Sequence, residues 1–153
     1  MKVLVNGANG KMGAESVLAI QAESNLILVG SADKGDDLSA LILDLKPDVV
    51  LDFTTPDVVM ANCVAILKGG ANALVGTTGL SDTQQAELDN LAKEKGQSVL
   101  ICPNFALGAV LMMKFAAEAS KYLSQVEIIE YHHDQKLDAP SGTALKTADL
   151  IVE

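Results

Sequence analysis

Lys2-Val3-Leu4-Val5-Asn6-Gly7-Ala8-Asn9-Gly10-Lys11-Met12-Gly13 is the stretch on which the reading of this chain turns. A short aliphatic run with the character of a strand ends in glycines at 7, 10 and 13, and a helical pattern follows over residues 11–23. Glycines so placed permit a tight turn, close approach of backbone to a pyrophosphate, and close helix–strand packing. The helix start adds about half a positive charge for phosphates. The spacing is G-x-x-G-x-x-G, with Asn9 where the more familiar G-x-G-x-x-G has its second glycine. Asparagine tolerates left-handed backbone, so the turn is expected to survive. A plain strand–helix turn is the bland alternative; the position at the chain's first strand–helix junction favours a nucleotide.

Outward from this loop the same alternation repeats. Residues 26–31, 48–53, 72–75 and 98–101 read as strands, most of them rich in Val, Leu and Ile without polar alternation, as in parallel strands buried on both faces. Helical patterns cover residues 38–45, 56–68 and 82–95, with Pro56 expected in a first turn, Ser81 as a cap, and Gly69-Gly70 and Gly96 as stops. The expected fold class is α/β, a Rossmann-like doubly wound parallel sheet. In such sheets ligands bind at strand C-termini. Asp33, 20 residues past Gly13, stands where a carboxylate reads the adenosine ribose of NAD(H), and Lys34 beside it can receive the 2′-phosphate of NADP(H). Two solvated loop charges are the alternative there. The loops Asp52-Phe53-Thr54-Thr55 and Gly76-Thr77-Thr78-Gly79 offer small hydroxyls and free backbone groups suited to a nicotinamide carboxamide.

Past Pro103 the rhythm changes. A helical pattern over residues 107–123 precedes a run, residues 126–131 (VEIIEY), whose one-sided alternation suggests a strand of a different layer. The expected division is a dinucleotide-binding domain over residues 1–103 and the start of a second, α+β substrate domain over residues 104–153.

Composition excludes other classes. The chain has 153 residues, is 49% hydrophobic and 20% charged, and has a net charge of −9 with no arginine. So acidic a chain has no field to attract a phosphate backbone broadly, so nucleic acid is not expected as a partner. The longest apolar run, residues 105–113, falls far short of the ~20 residues of a membrane span. A glycine interrupts the N-terminal apolar stretch before a secretory segment can form, and a cytoplasmic location is expected. Cys63 and Cys102 lack metal-type spacing and read as two buried thiols.

The densest segment is Glu130-Tyr131-His132-His133-Asp134-Gln135-Lys136-Leu137-Asp138-Ala139-Pro140-Ser141-Gly142-Thr143. Histidine titrates near neutrality and can pass a proton, and a lysine beside it can hold a carboxylate. Ser141, Gly142 and Thr143 open a helix and so offer an anion cradle. Together these suit a small polycarboxylate. A metal is not expected, because adjacent histidines on a strand point to opposite faces and a third ligand is not evident. A short-chain-dehydrogenase Tyr-x-x-x-Lys pair fails because residue 135 is Gln.

The string His132-His133-x-x-Lys136-x-Asp138-Ala139-Pro140-Ser141-Gly142-Thr143-Ala144 resembles the signature of the dihydrodipicolinate reductase family. The glycine loop, Asp52-Phe53-Thr54, Gly76-Thr77-Thr78-Gly79 and Pro103-Asn104-Phe105 resemble that family's motifs in order. The resemblance implies NAD(P)H-dependent reduction of 4-hydroxy-tetrahydrodipicolinate, a small dicarboxylate, to tetrahydrodipicolinate in lysine and diaminopimelate biosynthesis. It implies His132 as general acid with Lys136 as catalytic partner, and substrate contacts from His133, Ser141, Gly142 and Thr143. Gly7, Ala8, Asn9, Gly10, Lys11 and Met12 would hold the pyrophosphate, and Asp33 and Lys34 the ribose end. Phe53, Gly76, Thr77, Thr78, Cys102, Pro103, Asn104 and Phe105 would frame the nicotinamide. Lysines stand where the family usually has arginines at the glycine loop and after the ribose acid, so fork geometry is lost and any preference for NADPH should weaken. Members continue past the Ser-Gly-Thr helix into further strands that build a homotetramer. The resemblance therefore implies truncation at Glu153, with residues 126–131 left as a lone strand. A dinucleotide-binding remnant without turnover, or a related oxidoreductase of another keto or imino acid, are the alternatives.

Overall fold

A computed structural model of the chain describes residues 1–102, 104–132, 134 and 139–152. They fall into two compact units, Met1–Cys102 and Pro103–Glu153.

The first unit alternates strand and helix: β1 (Lys2–Asn6), α1 (Lys11–Ala22), β2 (Ile27–Ala32), α2 (Leu38–Leu45), β3 (Val49–Asp52), α3 (Val59–Lys68), β4 (Asn72–Val75), α4 (Asp82–Lys95) and β5 (Val99–Ile101). The strands form one parallel sheet in the order β2-β1-β3-β4-β5. This is the doubly wound α/β arrangement expected, and its strand order reverses between β1 and β3. Successive side chains of each central strand enter opposite cores, so both faces are apolar. Leu4, Val50, Ala73 and Val75 pack with Ile42 of α2, Val59, Cys63, Ile66 and Leu67 of α3, and Leu88 of α4. Val3, Val5 and Leu51 pack with Val17 and Ile20 of α1.

Helix ends follow local chemistry. Ser81 and Gln84 form a reciprocal capping box on α4, and Gly96 closes it at φ 66°. Asp37 caps α2 through the Ala40 N–H, and Lys46 closes it in left-handed backbone. The expected helix start at Pro56 is corrected: α3 begins at Val59, behind a turn over residues 56–58. The N–H groups of Val58 and Val59 both donate to the Thr55 carbonyl, and the Thr55 hydroxyl bonds the Asp57 carboxylate, which holds Asp57 below the usual carboxylate range. Those bonds favour a turn over a regular first helical turn.

The second unit contains α5 (Leu107–Ser120) and α6 (Gly142–Val152). The strand expected at residues 126–131 is absent, since none of the described residues of this unit pairs in a ladder. Alternation supplies a face but not a neighbour, and a strand needs both. Val126, Ile128 and Ile129 instead line a cavity of about 520 Å³ against Met112 and Ala116 of α5 and Ile151 of α6. No described helix is long and apolar enough to cross a membrane.

Candidate functional site

The strand register sets the site of the first unit. Ala32, Asn6, Asp52, Val75 and Ile101 lie level across the sheet as successive pairing partners. The residues that follow them stay bonded to the neighbouring strand: Gly7 N–H to Ala32 O at 2.9 Å, Phe53 N–H to Asn6 O at 2.9 Å, Gly76 N–H to Asp52 O at 2.9 Å and Cys102 N–H to Val75 O at 2.8 Å. Gly7, Asp33, Phe53, Gly76 and Cys102, which the sequence nominated separately, therefore sit along one edge.

The glycine loop is tight for steric reasons. Gly7 has φ 80°, and a Cβ there would lie 2.4 Å from the Phe53 carbonyl oxygen; a Cβ on Gly13 would lie 2.0 Å from the Gly7 oxygen. The tolerance of Asn9 for left-handed backbone is not used: Lys46 is the only described non-glycine residue with positive φ, so Gly7 alone supplies the left-handed step in this loop. Asn9 is instead held through its N–H, which donates to Asp33 Oδ2 at 2.7 Å, while the Lys34 N–H donates to Asp33 Oδ1 at 2.7 Å. Those two bonds, that of Lys34 the larger, hold the Asp33 carboxyl below the usual carboxylate range. No side chain caps α1 and no acidic residue occupies its first turn, which keeps that end open to an anion. Asn9, Gly10, Lys11 and Met12 are exposed around it, with Ala8 half-buried.

Behind this edge lies a polar cluster that sequence reasoning missed. Asp52 is fully buried and its carboxylate accepts five hydrogen bonds. Asn6 and Asn62 donate their amides to Oδ2 at 2.8 and 2.9 Å; the Thr54 N–H and hydroxyl donate to Oδ1 at 3.2 and 2.7 Å, and the Thr77 hydroxyl at 2.9 Å. The signal available was a lone acid closing an aliphatic strand (VVLD), opposite an asparagine closing another. Burial, reinforced by the Asp52 charge, pushes the nearby Cys63 thiol up to about 12. Cys63 is thus a buried thiol, as expected, whereas Cys102 is half-exposed rather than buried. Thr77 is buried, Phe53 and Gly76 half-buried, and Thr78 exposed.

In the second unit, Ser141 caps α6 by accepting the Ala144 N–H at 3.1 Å. Its own N–H and hydroxyl both donate to the Glu130 carboxylate. Ser141 is buried and its groups are taken up internally, leaving exposed Gly142 and half-buried Thr143 as the parts of that turn nearer the surface. Asn104 joins the two helix starts, accepting the Ala106 N–H at 2.8 Å and donating to the Thr143 hydroxyl at 3.1 Å. His132 Nδ1 lies 3.7 Å from Glu130 Oε2, and Phe105 is exposed. Pro103, His133 and Lys136 fall outside the described residues. Among the described residues no group of His, Cys, Asp or Glu side chains could hold a metal ion.

Comparison with known proteins accounts for this combination. Residues 1–105 match the family model described as dihydrodipicolinate reductase, N-terminus, and residues 108–153 its C-terminus. The chain is 50% identical to the 4-hydroxy-tetrahydrodipicolinate reductase of Coxiella burnetii over all of its own length and 64% of that protein. It is 52% identical to the same-named protein of Mycolicibacterium smegmatis, again over its whole length and 62% of that relative. A dipicolinate-bound dihydrodipicolinate reductase from Paenisporosarcina sp. TG-14 superposes with a TM-score of 0.83 at 40% identity, over 99% of this chain and 65% of that one. A biliverdin reductase from Synechocystis shares the fold at 20% identity and a TM-score of 0.64. The chain thus spans just under two thirds of the length of the curated relatives it matches. It belongs to the dihydrodipicolinate reductase family.

Proposed function

We propose that the chain contributes to NAD(P)H-dependent reduction of 4-hydroxy-tetrahydrodipicolinate to tetrahydrodipicolinate, with loss of water, in the lysine and diaminopimelate pathway of the cytoplasm. The observation that carries the reading is the single edge formed by Gly7, Asp33, Phe53, Gly76 and Cys102, at the point where the strand order reverses. The residues fit a dinucleotide. Gly7, Gly10 and Gly13 keep the cradle free of side chains, while the open end of α1 with Lys11 receives the pyrophosphate. Asp33, ionised and half-buried at its rim, takes the ribose hydroxyls, and exposed Lys34 a 2′-phosphate where one is present.

The nicotinamide supplies the hydride when bound. Phe53, Gly76, Thr77 and Thr78 orient it from the first unit, with Cys102, Pro103, Asn104 and Phe105 following. In the second unit His132 donates the proton, and Lys136 assists it. His133, with Gly142 and Thr143 on a turn that Ser141 holds, receives the substrate carboxylates. A small dicarboxylate is thus the partner, not nucleic acid; the homotetramer belongs to the full-length family, whose further strands build it.

NADH oxidation by the chain with freshly generated substrate tests the reading. His132→Ala should slow it by about 10²–10⁴-fold, the usual worth of a general acid. Lys136→Ala should also slow it, and cofactor binding, followed by NADH fluorescence, should persist in both. Binding without turnover in the parent would replace the reading by that of a dinucleotide-binding module. No binding at all would end both.

A further inference from the structure

Asp52 is a charged group in an expensive place. It has no exposed surface, and among the described residues no ammonium or imidazole pairs with it. All five hydrogen bonds to its carboxylate come from neutral donors. Desolvating a carboxylate costs several kcal/mol, and an apolar residue of like volume often serves stability as well or better. A local strand-end turn explains only the bonds from Thr54, two residues on. It does not explain donors from β1, from α3 and from the loop after β4 converging on the same two oxygens.

Three of the four donor residues share a feature: Asn6 immediately precedes Gly7, Thr54 immediately follows Phe53, and Thr77 lies between Gly76 and Thr78. The carboxylate is thus bonded to a chain neighbour of the glycine loop and to both loops proposed to orient the nicotinamide. It does so from the end of β3, where the strand order reverses. The glycine loop has separate anchors, with Gly7 and Ala8 N–H groups on Ala32 O and the Asn9 N–H on Asp33. The Thr54 and Thr77 hydroxyls are tethered to the Asp52 carboxylate, and the Thr54 hydroxyl also accepts the Asn62 amide at 3.1 Å.

We infer that Asp52 is a positioning residue for the nicotinamide end of the dinucleotide: from beneath the site it fixes the Phe53–Thr54 and Gly76–Thr78 loops relative to the glycine loop. The inference rests on the dinucleotide reading above. Asp52→Asn preserves shape but removes the charge and turns one acceptor oxygen into a donor, facing the Asn6 and Asn62 amides in one orientation and the Thr54 N–H in the other.

The test measures, by calorimetry on the 153-residue chain, affinity for NADH and for ADP-ribose, which keeps the adenosine and pyrophosphate but lacks the ring. Asp52→Asn should weaken NADH by about tenfold, the scale of one charge-assisted hydrogen bond, and ADP-ribose by no more than about twofold. An unchanged NADH to ADP-ribose ratio, whether both bind as in the parent or both weaken in step with Tm, would overturn the inference, because a merely structural role moves them together. Should Asp52→Asn fail to fold, Asn62→Ala removes from α3 one donor to the Asp52 carboxylate and one to the Thr54 hydroxyl, and is held to the same ratio. A parent chain that binds neither ligand would instead overturn the dinucleotide reading beneath it.

Discussion

In Met1–Cys102 each nominated ligand-facing loop follows directly on a strand bonded to its neighbour and packed over buried aliphatic side chains. In Pro103–Glu153 Met113 is the only described apolar residue that is buried, and the nominated residues are tied by polar contacts: Glu130 to Ser141, and Asn104 to Thr143. Large apolar side chains such as Leu107, Phe115, Tyr122 and Ile129 are exposed in that unit. The difference shows two ways of holding a site. A sheet edge inherits its precision from register and core packing, whereas a loop between helices depends on a few hydrogen bonds, each open to single substitution.

The largest effect that would sharpen this contrast comes from one kind of substitution made in both units. Gly13→Ala puts a methyl 2.0 Å from a backbone oxygen that cannot swing away, and Gly7→Ala adds positive φ to a 2.4 Å contact. Each should cost more than about 4 kcal/mol or prevent folding. Gly108→Ala, in α5 with nothing within 4 Å of the new carbon, should gain up to about 1 kcal/mol in helix propensity. Urea unfolding curves would measure all three; a tolerated Gly13→Ala would break the account of the glycine loop. Next in size is Leu67→Ala, which empties a fully buried site and should cost about 2–5 kcal/mol. Met113→Ala should cost less, because its unit buries little else of apolar character. Equal losses would mean the second unit has a core of comparable strength.

Smaller still is Ser141→Ala, which removes the cap of α6 and its hydroxyl bond to Glu130. A loss of about 1–2 kcal/mol is expected. It should appear as faster amide exchange in the first turn of α6, with β1, β3 and β4 unchanged. Exchange that quickens equally in the sheet would show the two units unfolding as one.

The same contrast governs how much was legible in the sequence. Helix α4 was bounded correctly because its signals, Ser81 with Gln84 and then Gly96, are local. The strands of the first unit were legible because burial on both faces leaves nearly uninterrupted Val, Leu and Ile. The Asp52 cluster was not, since Asn6, Asp52, Asn62 and Thr77 meet only through the register Asn6–Asp52–Val75 and the docking of α3. The start of α3 is not legible because Pro56 fits a first helical turn as well as it fits the turn that forms. Residues 126–131 carry a strand's pattern, but pairing is a property of two segments, and one segment's pattern cannot supply it.

The smallest effect concerns Asp33, the one nominated site residue of the first unit whose place depends on ionisation. Its folded carboxyl sits below the ordinary value because the Lys34 and Asn9 N–H groups bond the charged form. Linkage fixes the sign: a carboxyl depressed in the folded state stabilises the loop fully above its unfolded pKa of about 3.9. That contribution is lost as pH falls from there through the lower folded value, because protonation weakens both acceptors. Partial exposure to solvent leaves the energy small, so global unfolding is a poor probe. The amides of Asn9 and Lys34 are better ones. Their NMR shifts should titrate together below about pH 3.9 in the parent, and the transition should vanish in Asp33→Asn, in which the charge is already gone. Shifts that titrate identically in both proteins would assign the transition to another carboxyl and detach the glycine loop from Asp33.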